Sequence, residues 1–151
     1  MTQPLRGFHV VAAYQFQAIR LPERKTVRSA GYDIEAAASV TILPGKVELV
    51  PTGLKAYMQT DEVLKLYARS SLALSRKLLI ANGVGVVDQD YYDNPSNEGH
   101  ILIPVYNFGT EPAIIAKGER VAQALFEKFL ISPAETVPQG ERSGGFGSTG
   151  K

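Results

Sequence analysis

Leu43-Pro44-Gly45-Lys46-Val47-Glu48-Leu49-Val50-Pro51-Thr52-Gly53-Leu54-Lys55-Ala56-Tyr57-Met58 carries the pattern from which the fold is read. Two proline-glycine turns, at 43–45 and 51–53, bracket a short segment rich in β-branched and aliphatic residues, and another such segment, 54–58, follows at once. Proline presets φ for a turn and glycine accepts positive φ, so these clusters end one extended segment and begin the next. Working outward, the same punctuation returns at Asn82-Gly83, Asn94-Pro95, Phe108-Gly109-Thr110 and Lys117-Gly118. Between the turns lie 65–68, Gly85–Val87, 101–106 and 113–116, each short and rich in Val, Ile, Leu or Tyr. Many short strands at regular spacing predict an all-β sandwich or barrel. One short helix is predicted where Ser70 or Ser71 offers an N-cap to 72–78. The segment 121–130 fits both period 2 and period 3.6, and in a chain otherwise β it is read as strand. From Ser132 onward the apolar density falls, predicting a β domain over 1–133 and a mobile glycine-rich arm over 134–151.

Composition narrows the class. A chain of 151 residues is long enough for one domain with a real core. It has no cysteine, which excludes a disulfide framework, a thiolate metal site and a cysteine nucleophile. Only His9 and His100 are present, too few and too far apart for a histidine cluster. Lys and Arg number 16 against 15 Asp and Glu, which argues against a polyanion-coating protein, and no nucleic-acid partner is expected. No run approaches the ~20 apolar residues of a membrane span, and 8–14 is too short for one. Neither a signal peptide nor membrane association is expected, and cytoplasmic location is the default.

Several motifs bear on chemistry. Gly83-Val84-Gly85 lacks the third glycine of a dinucleotide fingerprint, since Asp88 stands there and no helix pattern follows. The run 145–151 formally holds G-x-x-x-x-G-K, but neither a preceding strand nor a following Ser or Thr accompanies it, so no P-loop is expected. Gly140, Gly144, Gly145, Gly147 and Gly150 cluster there; a disordered tail is the simple reading. Phe146 counts against it, because a lone aromatic outside the core is suited to stacking on a base. Arg69-Ser70-Ser71 at a helix start offers a guanidinium fork, hydroxyls and amides to an anion, although a solvated helix start explains it equally. Asn82-Gly83 reads as a tight turn, and Gly85–Val87 as a strand delivering Asp88, Asp90 and Tyr91. In an extended segment Asp88 and Asp90 point to one face and are able to hold a divalent ion or orient water. A polar turn closing a buried strand explains the pair as well.

Five segments, taken in order, resemble the trimeric dUTP pyrophosphatases (dUTPases), phage and Gram-positive types among them. They are Ala30-Gly31-Tyr32-Asp33-Ile34, Arg69-Ser70-Ser71-Leu72-Ala73, Gly85-Val86-Val87-Asp88-Gln89-Asp90-Tyr91, Gly118-Glu119-Arg120-Val121-Ala122-Gln123 and Gly144-Gly145-Phe146-Gly147-Ser148-Thr149-Gly150. The resemblance implies a jelly-roll-like β-barrel subunit in a homotrimer with shared active sites, and hydrolysis of dUTP to dUMP and pyrophosphate with Mg²⁺. It implies that Asp88 is the general base for a water attacking the α-phosphorus, and that Tyr91 lies against the deoxyribose. Asn82, Gly85, Val86 and Val87 are implied to form a hairpin that reads uracil, with Leu102 completing the pocket. Arg69, Ser70, Ser71 and Gln123 are implied to hold the phosphates, and Asp33 to reach Mg²⁺ through water, the ion itself being held by the triphosphate. In the arm, Phe146 is implied to stack on uracil with Gly147 beside it, and Arg142, Ser148 and Thr149 to reach the γ-phosphate.

The chain departs from the family pattern. Ala68 and Ser71 replace the usual Pro and Gly, 92–100 is longer than the usual turn, and Arg142 sits one residue nearer the Gly-Gly-Phe run. The dCTP deaminases, which share the fold, are the nearest alternative. They need a catalytic glutamate where this chain has Pro104, which neither donates nor accepts a proton. A further alternative is a phage-type member that also binds a regulatory protein, for which 92–100 is the available surface.

Overall fold

The computed structural model describes residues 2–147. Along the chain the strands are β1 (Gly7–Val10), β2 (Tyr32–Glu35), β3 (Val40–Ile42), β4 (Val47–Pro51), β5 (Leu54–Tyr57) and β6 (Glu62–Ala68), then helix α1 (Ser70–Arg76). After it come β7 (Leu78–Ile80), β8 (Gly85–Val87), β9 (Leu102–Asn107), β10 (Ala113–Ile115) and β11 (Arg120–Lys128), with 3₁₀ turns at Ala12–Tyr14 and Gln89–Tyr91. All strand pairs are antiparallel, in the sheets β1-β5, β10-β3, β2-β11-β6-β8 and β4-β9-β7. This is the all-β architecture that the turn spacing predicts, with one short helix, in the jelly-roll-like form that the resemblance implies.

Strand alternation builds the core. In β9 the inward set is Ile103, Val105 and Asn107, with Leu102, Pro104 and Tyr106 on the other face. Ile103 and Val105 join Ile34, Ile42, Val50, Leu54, Leu64, Leu78 and Ile115 in one cluster, and Asn107 is buried beside them. Asn107 is tolerated there because its amide donates to the carbonyls of Ile42 and Glu111, both at 2.8 Å, and its oxygen accepts the Gly109 N–H at 2.9 Å. Buried Glu62 is matched by Arg6, which holds its carboxyl below the usual carboxylate range.

The structure corrects the sequence reading at three places and explains a fourth. β1, β2, β3 and β7 are additional strands; each is only three or four residues long, so alternation has too few repeats to show. α1 ends at Arg76, and Lys77 turns into the left-handed region so that Leu78 opens β7 instead of closing the helix. The residue before α1 is Arg69 in an extended conformation, with no side-chain cap from Ser70 or Ser71. In β11 the register shifts between Arg120 and Ala122, so adjacent Val121 and Ala122 are both buried. That bulge is why 121–130 fits two periods at once, and it returns Gln123 to the outer face.

Candidate active site

The turn at 81–84 joins two strands that part company. β7 pairs only with β9, and β8 only with β6, so the expected hairpin is opened: its strands belong to different sheets and each is an edge. The turn itself is tight, with the Gly83 N–H on the Ile80 carbonyl at 3.0 Å and the Val84 N–H on the Asn82 carbonyl at 2.9 Å. An edge strand leaves one row of N–H and C=O groups without a strand partner. Between these edges lies a cavity of about 310 Å³, lined by Asn82, Gly85, Val86, Val87, Leu102 and Pro104 among others. It therefore combines apolar walls with backbone donors and acceptors, a composition that suits a planar heterocycle.

Asp88 and Tyr91 line the same cavity. Asp88 precedes the 3₁₀ turn Gln89–Tyr91 instead of continuing an extended strand, so the expectation that it and Asp90 share a strand face does not hold. A different residue unites them. Arg142 donates to Asp88 Oδ2 at 2.6 Å and to Asp90 Oδ1 at 2.7 Å, and to the Gly144 carbonyl at 3.0 Å. Its side chain is only 14% exposed, against 54% and 57% for the two carboxylates. The arm is thus laid over the cavity. Gly145 sits so close to the Tyr91 ring that a Cβ there would stand 2.7 Å from Cε2. Phe146 lines the mouth and is 65% exposed, with positive φ, as has Gly147.

A second cluster lies elsewhere. Asp33 on β2 stands opposite Gln123 on β11, and Gln123 stands opposite Tyr67 on β6, so three strands place these residues abreast. Asp33 Oδ2 accepts from Arg120 at 3.3 Å, and Arg69 Nε lies 4.0 Å from its Oδ1 while Arg69 also donates to the Arg120 carbonyl. An open groove beside them is lined by Lys25, Ser29, Asp33, Tyr67 and Gln123. Ser70 and Ser71 are exposed at the start of α1 next to Arg69. Arg69, Arg120 and the hydroxyls of Ser70 and Ser71 are donors of the kind that pair with anionic oxygens.

The expected site residues thus fall into two groups that share no lining residue: 82–91, Leu102 and the arm on one side, Asp33, Arg69 and Gln123 on the other. Ser148 and Thr149 lie outside the described residues. Arg120 was assigned no role from sequence, although it sits inside the fourth motif; only the folded register brings it to Asp33. Among the described residues no three His, Asp or Glu side chains converge on one point. Asp33 is a single carboxylate facing arginines. That donor set fits an Mg²⁺ ion held mainly by phosphate oxygens and reached by the protein through water.

Comparison with known proteins defines the relationship. The sequence profile of the dUTPase family matches residues 17–150. The deoxyuridine 5′-triphosphate nucleotidohydrolase of Lactococcus lactis subsp. lactis is 52% identical over 147 residues, 97% of this chain and 98% of that protein. The crystal structure of dUTPase from Streptococcus mutans superposes with a TM-score of 0.81 at 44% identity, covering 85% of this chain and 99% of that one. The dUTPase of Staphylococcus bacteriophage 80alpha shares the fold, with a TM-score of 0.72 at 20% identity over 91% of this chain and 98% of its own.

Proposed function

The chain belongs to the dUTPase family and hydrolyses dUTP to dUMP and pyrophosphate; from that premise we propose how its own residues do so. The carrying observation is Asp88 at the rim of an apolar cavity edged by two strands, each with one side free of a strand partner. Uracil enters between β7 and β8, where backbone groups of 82–87 meet its O2, N3 and O4. Cytosine presents an amino group in place of O4, so a backbone N–H there loses its acceptor, a mismatch that buried polar sites reject strongly. A close-fitting edge also leaves no room for the 5-methyl of thymine. Tyr91 lies flat on the deoxyribose and excludes a 2′-hydroxyl.

Asp88 orients a water in line with the α-phosphorus and takes its proton as the P–O bond forms and pyrophosphate leaves. Arg69, Ser70, Ser71 and Gln123 hold the phosphate chain. Mg²⁺ on the triphosphate neutralises charge and fixes phosphate geometry when bound, with Asp33 reaching it through water. Phe146 stacks on the base, with Gly147 at the turn beside it. Arg142, now on Asp88 and Asp90, exchanges these carboxylates for the γ-phosphate as substrate arrives, with Ser148 and Thr149 joining it. Closure of the 134–151 arm over the 1–133 domain completes the site and excludes water from it.

The separation of the two clusters supports a homotrimer in which the phosphate-binding group of one subunit serves the cavity of another. So does the apolar outer face of the β4-β9-β7 sheet, where Val47, Leu49 and Leu79 are exposed. The test of function is pyrophosphate release from dUTP, dCTP, dTTP and UTP with Mg²⁺. The expected result is turnover of dUTP far above the other three; ammonia release from dCTP exceeding pyrophosphate release from dUTP overturns it.

A further inference from the structure

The long loop at 92–100 follows directly on Tyr91, and several of its polar groups turn back to that residue. The Tyr91 hydroxyl donates to the His100 carbonyl at 2.8 Å and accepts from Asn97 Nδ2 at 2.8 Å. Its backbone carbonyl accepts from Asn94 Nδ2 at 2.8 Å. Asn94 is buried, and its side chain also donates to Asn97 Oδ1 at 2.7 Å and accepts the N–H groups of Ser96 and Asn97. Asn97 Oδ1 in turn accepts the Gly99 N–H at 3.1 Å. Gly99 has φ +84, and a Cβ on it would lie 2.7 Å from the Tyr91 carbonyl oxygen, so the loop closes on Tyr91 as tightly as a chain is able to.

The loop is anchored at its far side too. Lys55 binds both Asp93 and Glu98, and the Glu98 carboxylate accepts the Ala12 N–H at 3.0 Å. Tyr92 shares a hydrogen bond with His9 at 2.8 Å, and His100 Nε2 accepts the Gly53 N–H at 2.9 Å.

We propose that 92–100 is a positioning brace for Tyr91, with Asn97 the residue that sets ring orientation and thereby the discrimination between deoxyribose and ribose; this rests on the reading of Tyr91 as the sugar-facing residue. Two features of the geometry carry it. Both the donor and an acceptor position of the Tyr91 hydroxyl are occupied by the loop, so the hydroxyl acts as a handle, and the residue it holds lines the cavity. The contacts also hold Tyr91 at both ends, backbone carbonyl and hydroxyl, which fixes the direction of the ring axis and keeps the side chain from swinging aside to admit a 2′-hydroxyl. A side chain excludes by sterics only as well as it is held.

The experiment measures kcat/KM for dUTP, UTP and dCTP on Asn97→Ala, Tyr91→Phe, their double variant and Tyr91→Ala, with thermal unfolding of each. Asn97→Ala is expected to lower the dUTP:UTP ratio by about tenfold through a gain on UTP, with the dUTP:dCTP ratio unchanged. Tyr91→Phe, which keeps the ring and loses the handle, is expected to match it, and the double variant to go no further. If Tyr91→Ala loses sugar discrimination while Asn97→Ala and Tyr91→Phe keep it, the brace is refuted and the sugar-facing reading stands. If Tyr91→Ala keeps discrimination, that reading falls and the brace with it. Equal falls in both ratios mark a general loosening and overturn the proposal. Should Asn97→Ala not fold, Tyr91→Phe alone decides.

Discussion

Asp88 and Arg142 show how much one contact alters a residue's reading. From sequence, Asp88 pairs with Asp90 as a two-carboxylate motif and Arg142 belongs to a distant arm. In the folded chain Arg142 sits between the two carboxylates, at 2.6 and 2.7 Å. A partly buried guanidinium between exposed acids holds them in one geometry and is itself available to a stronger anion. Asp88→Asn is expected to lower turnover of dUTP by about a thousandfold, the scale of a lost general base, while binding of a non-hydrolysable dUTP analogue persists. Pyrophosphate release and calorimetric titration measure the two. Arg142→Ala is expected to raise KM for dUTP with little change in the unfolding midpoint, because it removes a phosphate ligand and no core contact.

At the scale of elements, the proposed reading of base and sugar rests on the edge pair β7 and β8 and on the 92–100 loop. The loop also carries a pH dependence. Burial lowers the pKa of His100 from its ordinary 6.5, with Glu98 opposing, and its Nε2 accepts a backbone N–H, a bond that an imidazolium does not make. Folded and unfolded chains both keep this histidine neutral above the ordinary value, so its contribution is complete there. Below 6.5 the unfolded chain takes the proton first, and stability falls until the folded histidine also titrates. Glu98 adds a second step: its pairing with Lys55 lowers its pKa from the ordinary 4.5, so that its contribution is present above this value and lost as pH falls through the folded one. The urea midpoint measured from about pH 8 to about pH 2 is expected to fall in two stages. His100→Gln, which has no titrating ring, is expected to flatten the upper stage alone.

For the whole molecule, the proposal is that two clusters with no lining residue in common serve one substrate across subunits. Shared sites predict complementation. Asp88→Asn and Arg69→Ala proteins are expected to be inactive separately, yet after joint unfolding and refolding about a quarter of sites hold both native residues under random mixing. Recovered pyrophosphate release measures this, and no recovery contradicts sharing between subunits. Truncation before Gly144 is expected to leave an assembled trimer of low activity. Sedimentation and turnover check it together, since the arm adds to the site and little to the core.

Turn chemistry and alternation are local physics, and they sufficed for the all-β class, for the strands at 47–51 and 102–107 and for the single helix. The five motifs sufficed for the family and for Asp88, Tyr91, Asp33 and Gln123 as candidates. Asn94-Pro95-Ser96-Asn97 was legible as a turn, since Asn side chains bond their own following amides. That its amides reach Tyr91 was not legible, because the approach depends on Gly99 and on anchors at Lys55, Ala12 and Gly53, remote in sequence. Only the tertiary structure decided that β7 and β8 diverge into separate sheets, that Arg142 bridges Asp88 and Asp90, and that Arg120 faces Asp33. Each of these is a pairing between distant segments. Such pairings follow from which strand edges remain free after the core closes, a property of the whole packing that no window of sequence contains.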